Sequence, residues 1–413
     1  MTKLEKLYDE GCFCEINAID ELITHIGYGE ICGCKVYSFE LSQAVDTSSV
    51  NKIKKAYELS EKTGCPIIGV YNSDGVALSE GFEALYAYGE LVKLSSRLSG
   101  VVPQISIVDG NCLGVTAAMA YGADVVIAVK GSDFYISPPS EATASDGYEN
   151  GAVDCLADSF EEACDMAQSF ISLLPANNLS APPVFELDEA ESDVYGDVIS
   201  VASDNIITAE LKGGYANGVR TLITTVNGIV AGFVCFENVE LTPSRAYKAE
   251  ALIKLCDAYN LPVITIADSK GISRENDAST LIACEKLLSA YASATCPKIS
   301  LVTDYSAAGA YVILAGKGAN ADITLAWEGA KASPMNTQSA VAFLWNDRLA
   351  NGESREALER EYEETLANIN TAAESGAVDE VFPRELTKER LSFYLDMLSS
   401  KRETTIPRKH SVK

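Results

Sequence analysis

Val50–Val70 reads VNKIKKAYELSEKTGCPIIGV, and Ala246–Ile266 reads AYKAEALIKLCDAYNLPVITI. Each is an amphipathic helix pattern closed by a proline and a β-branched run, so a helix feeds a buried strand. Val50, Ile53 and Tyr57 share one face in the first stretch; Ala249, Ile253 and Cys256 share one in the second. The match extends outward on both sides. Downstream, Asn72-Ser73-Asp74-Gly75-Val76 parallels Asp268-Ser269-Lys270-Gly271-Ile272, each read as a turn after the strand. Long helical patterns then end at Ser99-Gly100 and at Ala294-Thr295, and Val102–Val108 (VPQISIV) answers Cys296–Val302 (CPKISLV). A small-residue turn, a short Ala-rich helix and another strand follow in Asn111–Val129 and again in Ser306–Ala326, and both copies reach Ser-Pro, at Ser137-Pro138 and Ser333-Pro334. Upstream, Gly33–Phe39 and Gly228–Val234 are both glycine-initiated strands. The register of about 195 residues is far longer than any solenoid period, so the chain is a domain written twice.

Strands alternating with helices mean βα crossovers, hence an α/β fold with mainly parallel sheets and flanking helices. The expected division is 1–175, a linker at 176–187 (ANNLSAPPVFEL), and 188–413 with a helical tail. Within that tail Glu353–Leu398 is charged and helical apart from Gly376–Pro383, and Ser399–Lys413 is basic and expected to fray.

Composition excludes several function classes. The 413 residues carry 32 basic and 59 acidic side chains, a net charge of −27. Such a field repels phosphate at long range, which argues against nucleic acid and anionic membranes as partners. The two histidines, His25 and His410, leave little for a His-centred nucleophile relay or a His-rich metal site. Twelve cysteines are too dilute for a disulfide scaffold. The pairs Cys12-Phe13-Cys14 and Cys32-Gly33-Cys34 lack the CxxC spacing of structural zinc and read as small buried thiol-bearing hydrophobes, so no metal is expected. The N-terminus MTKLEKLYDEGCF lacks an apolar signal core, and the apolar stretch Val115–Val129 is broken by Asp124. A cytoplasmic protein is expected.

The chemistry points to the strand-to-helix junctions at Ile105–Ala120 and Ile299–Leu314. Gly114-Val115 and Gly309-Ala310 fall where each helix starts, and there the first N–H groups have no intrahelical acceptor. Two such N–H groups aimed at one point make an oxyanion hole, a device that needs no histidine. Tight helix–sheet packing through small residues explains either junction alone; the matched pair points to two holes for two substrates. No GxGxxG or Walker loop is present, and Ser73, Ser269 and Ser306 lack a GxSxG context. Asp74 and Asp268 follow strands, where turn formation is the plainer role and service as a base or ligand the alternative.

At these residues the chain resembles the carboxyltransferase subunits of biotin-dependent acyl-CoA carboxylases and the related sodium-pump acyl-CoA decarboxylases. The resemblance runs from Leu4–Asp20 through Lys62–Gly69, Glu80–Leu85, Tyr88-Gly89-Glu90 and Asn150–Asp154. In the second half it continues at Lys254–Asp268, Gly309-Ala310-Tyr311, Gly318–Asp322 and Gly376–Val381. It implies two tandem crotonase-like domains. It also implies that Gly114 and Val115 hold the thioester oxygen of a short acyl-CoA as it becomes an enolate. Gly309 and Ala310 then hold the ureido oxygen of biotin, Val312 lines the acyl pocket, and Gly75 with Val76 contacts substrate. The implied partners are acyl-CoA and a biotinyl carrier protein. A biotin carboxylase or membrane decarboxylase subunits, and a homodimer or homohexamer with active sites across subunits, complete the set. The family has adjacent glycines in the first hole where Leu113-Gly114-Val115 stands here, and an arginine-bearing turn where Asn72–Val76 stands. Carboxylation, decarboxylation and a non-catalytic scaffold are all compatible with these residues. Because CoA is an anion, a local basic patch is expected despite the net charge of −27.

Overall fold

The computed structural model describes residues 2–16, 24–137, 140–186, 196–318 and 321–404. Pro138, Leu187, the motif residues Ala319 and Asn320, and His410 lie outside them. The chain forms two compact units, Met1–Pro183 with Ala209–Tyr215, and Val184–Thr208 with Ala216–Lys413.

The first unit is built from β1 (Cys14–Ile16), β2 (Thr24–Ile31), β3 (Cys34–Val45), α1 (Thr47–Thr63), β4 (Ile67–Val76), α2 (Phe82–Leu98) and β5 (Gln104–Leu113). There follow α3 (Val115–Tyr121), β6 (Val125–Val129), β7 (Asp133–Tyr135), α4 (Ala144–Asn150), β8 (Cys155–Ala157) and α5 (Phe160–Leu173). Asp46 starts α1 by accepting the Ser49 N–H at 2.7 Å, and Gly64 ends it in the left-handed conformation at φ 66°. The strand order is β1-β2-β3-β4-β5-β6-β8, with β7 added beside β5. The β2–β3 hairpin is antiparallel and the β3–β4–β5–β6–β8 run parallel, as the βα alternation requires. Phe39, Tyr57 and Tyr71 are buried between sheet and helices, the Phe39 and Tyr71 rings meeting edge to face at 5.6 Å.

After α6 (Val198–Ala202) and β9 (Thr208–Leu211), the second unit repeats the pattern. It runs β10 (Val219–Val226), β11 (Ile229–Leu241), α7 (Pro243–Ala258), β12 (Val263–Ile272), α8 (Asp277–Ser293), β13 (Lys298–Val302), β14 (Tyr305–Ala307) and α9 (Ala308–Leu314). Strands β15 (Ile323–Trp327) and β16 (Lys331–Ser333) come next, then α10 (Thr337–Leu344), α11 (Asn346–Ala350), α12 (Arg355–Thr365) and α13 (Ile369–Glu374). The last elements are β17 (Glu380–Phe382) and α14 (Thr387–Leu398). Sheet order runs β17-β15-β13-β12-β11-β10, and β14 pairs with β16 as β5 pairs with β7. The helices α10 and α12 share a small core of their own around Val341, Leu358 and Tyr362.

The duplication persists at the level of single hydrogen bonds. Asp124 accepts the Gln104 N–H in one unit, and Asp322 accepts the Lys298 N–H in the other. Asp154 accepts the Val126 N–H at 2.8 Å, as Asp379 accepts the Thr324 N–H at 2.9 Å. Asp154 also takes the Lys212 ammonium at 2.9 Å, with both side chains largely buried. Asp154→Ala removes the counter-charge of that ammonium, which keeps only Gly151 O, and the acceptor of the Val126 N–H, so it is expected to lower stability by about 3 kcal/mol in urea unfolding.

Two expectations are corrected. Asn72–Val76 and Asp268–Ile272 are not turns but the last residues of β4 and β12. Bulges in β3 and β11, at Gln43 (φ 62°) and Asn238 (φ 53°), let pairing resume beyond them. The CxC pairs are not buried hydrophobes either. Cys12, Cys14 and Cys32 are exposed and Cys34 half-buried; the buried thiols include Cys112, Cys155 and Cys256. Among the described residues no group of three or more His, Cys, Asp or Glu side chains could hold a metal ion. No helix of the described residues is long and apolar enough to cross a membrane.

Candidate active site

In the first unit Gly114 joins β5 directly to α3 at φ 67° and ψ −136°, a conformation that a β-carbon disfavours. Its N–H is already engaged, donating to Tyr135 O at 3.0 Å as a further rung of the β5–β7 pairing. The donors left for a ligand at this junction are therefore the next N–H groups, of Val115 and Thr116, which have no intrahelical acceptor. Thr116 is fixed from below by Tyr88, whose buried hydroxyl donates to Thr116 Oγ1 at 2.8 Å. Burial pushes the Tyr88 phenol well above its ordinary pKa, so it stays a donor. Val115 itself is exposed.

Gly75, at φ 103°, lies against this junction: a β-carbon there would sit 3.6 Å from Leu113 O. Its N–H is taken by Ser73 Oγ at 3.2 Å, and Val76 pairs with Val45. Gly75, Gly114 and Val115 are thus brought together, with Val115 the one whose N–H is uncommitted. The strand leading in is braced by Asn72, whose Oδ1 accepts the Asn111 N–H at 3.1 Å, and by Asp74, which accepts from Asn111 Nδ2 at 2.5 Å.

The second unit repeats the geometry with different residues. Ala308, not a glycine, occupies the left-handed conformation at φ 52°. The pairings Leu113↔Tyr135 and Ala307↔Ser333 put Ala308 at the place of Gly114, Gly309 at that of Val115 and Ala310 at that of Thr116. The sequence match is therefore offset by one residue at the junction. A β-carbon at Gly309 would come within 2.7 Å of Ile272 Cδ1, the end of an exposed side chain that would have to turn aside. Gly271 repeats Gly75, with φ 115° and its N–H on Ser269 Oγ at 3.2 Å.

Gly309 and Val312 line a cavity of about 580 Å³, together with Ala308, Ser333, Pro334 and Thr371. A second cavity of about 630 Å³ shares Tyr311 and Val312 and includes Lys317, whose ammonium is paired with Asp379. Tyr311 ties the α9 turn to the Gly376–Val381 motif by donating to Ala377 O at 2.8 Å. Asp268 takes the place of Asn72. Its carboxylate accepts backbone N–H groups of Tyr305 and Asn238, while burial and the neighbouring Asp304 push its pKa up to about 6. Its Oδ1 is buried without a partner among the described residues, as is Ser306 Oγ.

Two sheets, each ending a strand in a short helix whose first backbone N–H groups have no intrahelical acceptor, define a duplicated α/β protein. The transcarboxylase 12S structure, solved with methylmalonyl-coenzyme A and methylmalonic acid bound, superimposes with a TM-score of 0.90 at 24% identity, over 99% of this chain and 91% of that one. The fold is therefore the crotonase-like one. A carboxyl transferase domain model matches residues 15–144 and 140–412. The propionyl-CoA carboxylase beta chain of Saccharopolyspora erythraea is 30% identical over 488 residues, covering 99% of this chain and 89% of that protein. The methylmalonyl-CoA decarboxylase subunit alpha of Propionigenium modestum is 28% identical over 99% of this chain and 91% of that protein. The chain belongs to the carboxyl transferase domain family.

Proposed function

We propose that this protein is an acyl-CoA carboxyltransferase subunit. It would move a carboxyl group between biotin, held on a carrier protein, and the α-carbon of a short acyl-CoA. The observation that supports this most is the repeated junction, Val115 with Thr116 and Gly309 with Ala310, inside a chain that matches the family almost throughout.

The second unit has room for a small ligand beside its junction. A cavity of about 580 Å³ is within the ordinary range for small-molecule sites, and its lining is largely apolar, with Val312 and Pro334 in it and the Ser333 hydroxyl already spent on Met335 O and Tyr362. When bound, biotin supplies the ureido nitrogen that accepts or gives up the carboxyl group. In the first unit the N–H groups of Val115 and Thr116 hold the thioester oxygen, stabilising the charge that develops as the α-carbon becomes carbanionic. Gly114 sets the direction of that pair through its left-handed turn, and Gly75 with Val76 walls the approach. In the second unit Gly309 and Ala310 hold the ureido oxygen, and Val312 lines the acyl side. The domains are then 1–175 and 188–413, each a carboxyltransferase half. The working unit is a homodimer or homohexamer pairing first and second halves of different subunits. A biotinyl carrier protein joins it, with a biotin carboxylase or membrane decarboxylase subunits, in the cytoplasm.

The decarboxylase direction uses the same groups, and the Propionigenium relative favours keeping it as the second reading. Purified protein given free biotin and a malonyl-type CoA thioester is expected to consume the thioester only when biotin is present. Absence of both turnover and CoA binding would leave the scaffold reading standing instead.

A further inference from the structure

We infer that Asp268 is a positioning residue whose charge tunes the second backbone site, a role for which the first unit uses the uncharged Asn72. This rests on the transferase reading above. The two side chains do the same mechanical work: Asn72 Oδ1 accepts the Asn111 N–H at 3.1 Å, and the Asp268 carboxylate accepts the Tyr305 N–H. Asn111 and Tyr305 each sit at the same place on the strand that leads into the junction helix. What differs is charge. An amide brace is neutral at every pH, whereas the carboxylate can take a proton on Oδ1, which is buried and has no partner among the described residues.

The surroundings set when that happens. Asp304, on the β13–β14 connection, faces Asp268 with like charge, and Glu237 is its register partner on β11. Lys270, on the same strand, is the opposing positive charge. Burial and Asp304 outweigh Lys270 and the two backbone N–H donors, so the carboxyl titrates near 6 rather than in the usual carboxylate range.

The consequence follows from the sign of the field. Tyr305 lies four residues before Gly309, at most roughly 13 Å along the chain at strand rise. A carboxylate there opposes the negative charge that the Gly309 and Ala310 N–H groups gather at the ureido oxygen. A protonated Asp268 keeps its accepting oxygen for Tyr305 and removes that opposition. The second site is therefore stronger below about pH 6 and weaker above it.

Asp268→Asn copies the first unit's residue and fixes the neutral state, so the test is the ratio of its biotin-dependent transfer rate to the wild type's across pH. The ratio is expected to be about threefold at pH 8 and to approach one below pH 5.5, with KM for the thioester unchanged. Asp304→Asn, which leaves Asp268 in place, is expected to shift the midpoint of the wild-type profile downward. Wild-type transfer with a pH-independent ratio and an unmoved midpoint overturns this role alone. No wild-type transfer at any pH overturns the transferase reading and this role with it.

Discussion

Val115→Pro is expected to cut biotin-dependent turnover of a malonyl-type CoA thioester by about 10²–10³-fold while leaving the protein folded. Val115 is the first residue of α3, where its N–H has no intrahelical acceptor. Proline is well suited to that position, because its fixed φ is helical and the missing donor breaks no backbone bond. Gly114, at ψ −136°, is not helical and has no β-carbon, so it escapes the main clash that a proline imposes on the residue before it. The exposed Val115 side chain leaves room for the ring. Only the donor proposed for the thioester oxygen is removed. The readouts are kcat for thioester consumption and the thermal midpoint, which is expected to move by only a few degrees. A fold-intact variant with wild-type kcat would show that the Val115 N–H does not hold the reacting oxygen. The Gly114 N–H then offers no substitute, since it is spent on Tyr135 O.

The fold was legible because duplication let each half check the other. Helix α1 and strand β4 read weakly alone, but the same helix–proline–strand sentence at Ala246–Ile266 made the pattern specific. What the residues did not disclose was backbone conformation. The match of Gly114 with Gly309 looked natural because both are glycines, yet the left-handed residue of the second junction is Ala308. No composition rule flags an alanine at φ 52°, a strained setting at the step from β14 into α9. The bulges at Gln43 and Asn238 carry no sequence signal either, while the Asn, Ser, Asp and Gly residues of the strand ends opposite them have turn composition. Asp268 is legible in sequence as an acid at a strand end, but its setting depends on Asp304 and on an oxygen that has no partner among the described residues. Both are set by tertiary contacts. The expected basic patch is thinned locally: Lys130, just past β6, and Lys317, just past α9, are already paired with Asp158 and Asp379.

Removing the matched donor of the second unit should separate the two half-sites. Gly309→Pro eliminates the N–H proposed for the ureido oxygen, but a β-carbon at 309 meets Ile272 Cδ1 at 2.7 Å. Ile272→Val deletes that Cδ1, and the remaining contact, with Ile272 Cγ1, is at 3.8 Å. The double variant is therefore compared with Ile272→Val alone, which loses one methyl group from a partly exposed side chain and costs little. In the double variant the biotin-dependent rate is expected to fall about 10²-fold or more, the size of a lost oxyanion donor. Binding of the CoA thioester, measured by calorimetry, is expected to stay within twofold, because Val115 and Thr116 are untouched. Thioester binding and biotin-dependent turnover falling together would mean that Gly309 shapes the first site or the fold rather than a separate biotin site. Retention of both would mean that the ureido oxygen is held elsewhere. The divergence of the two readouts is what two holes demand and what one hole cannot produce.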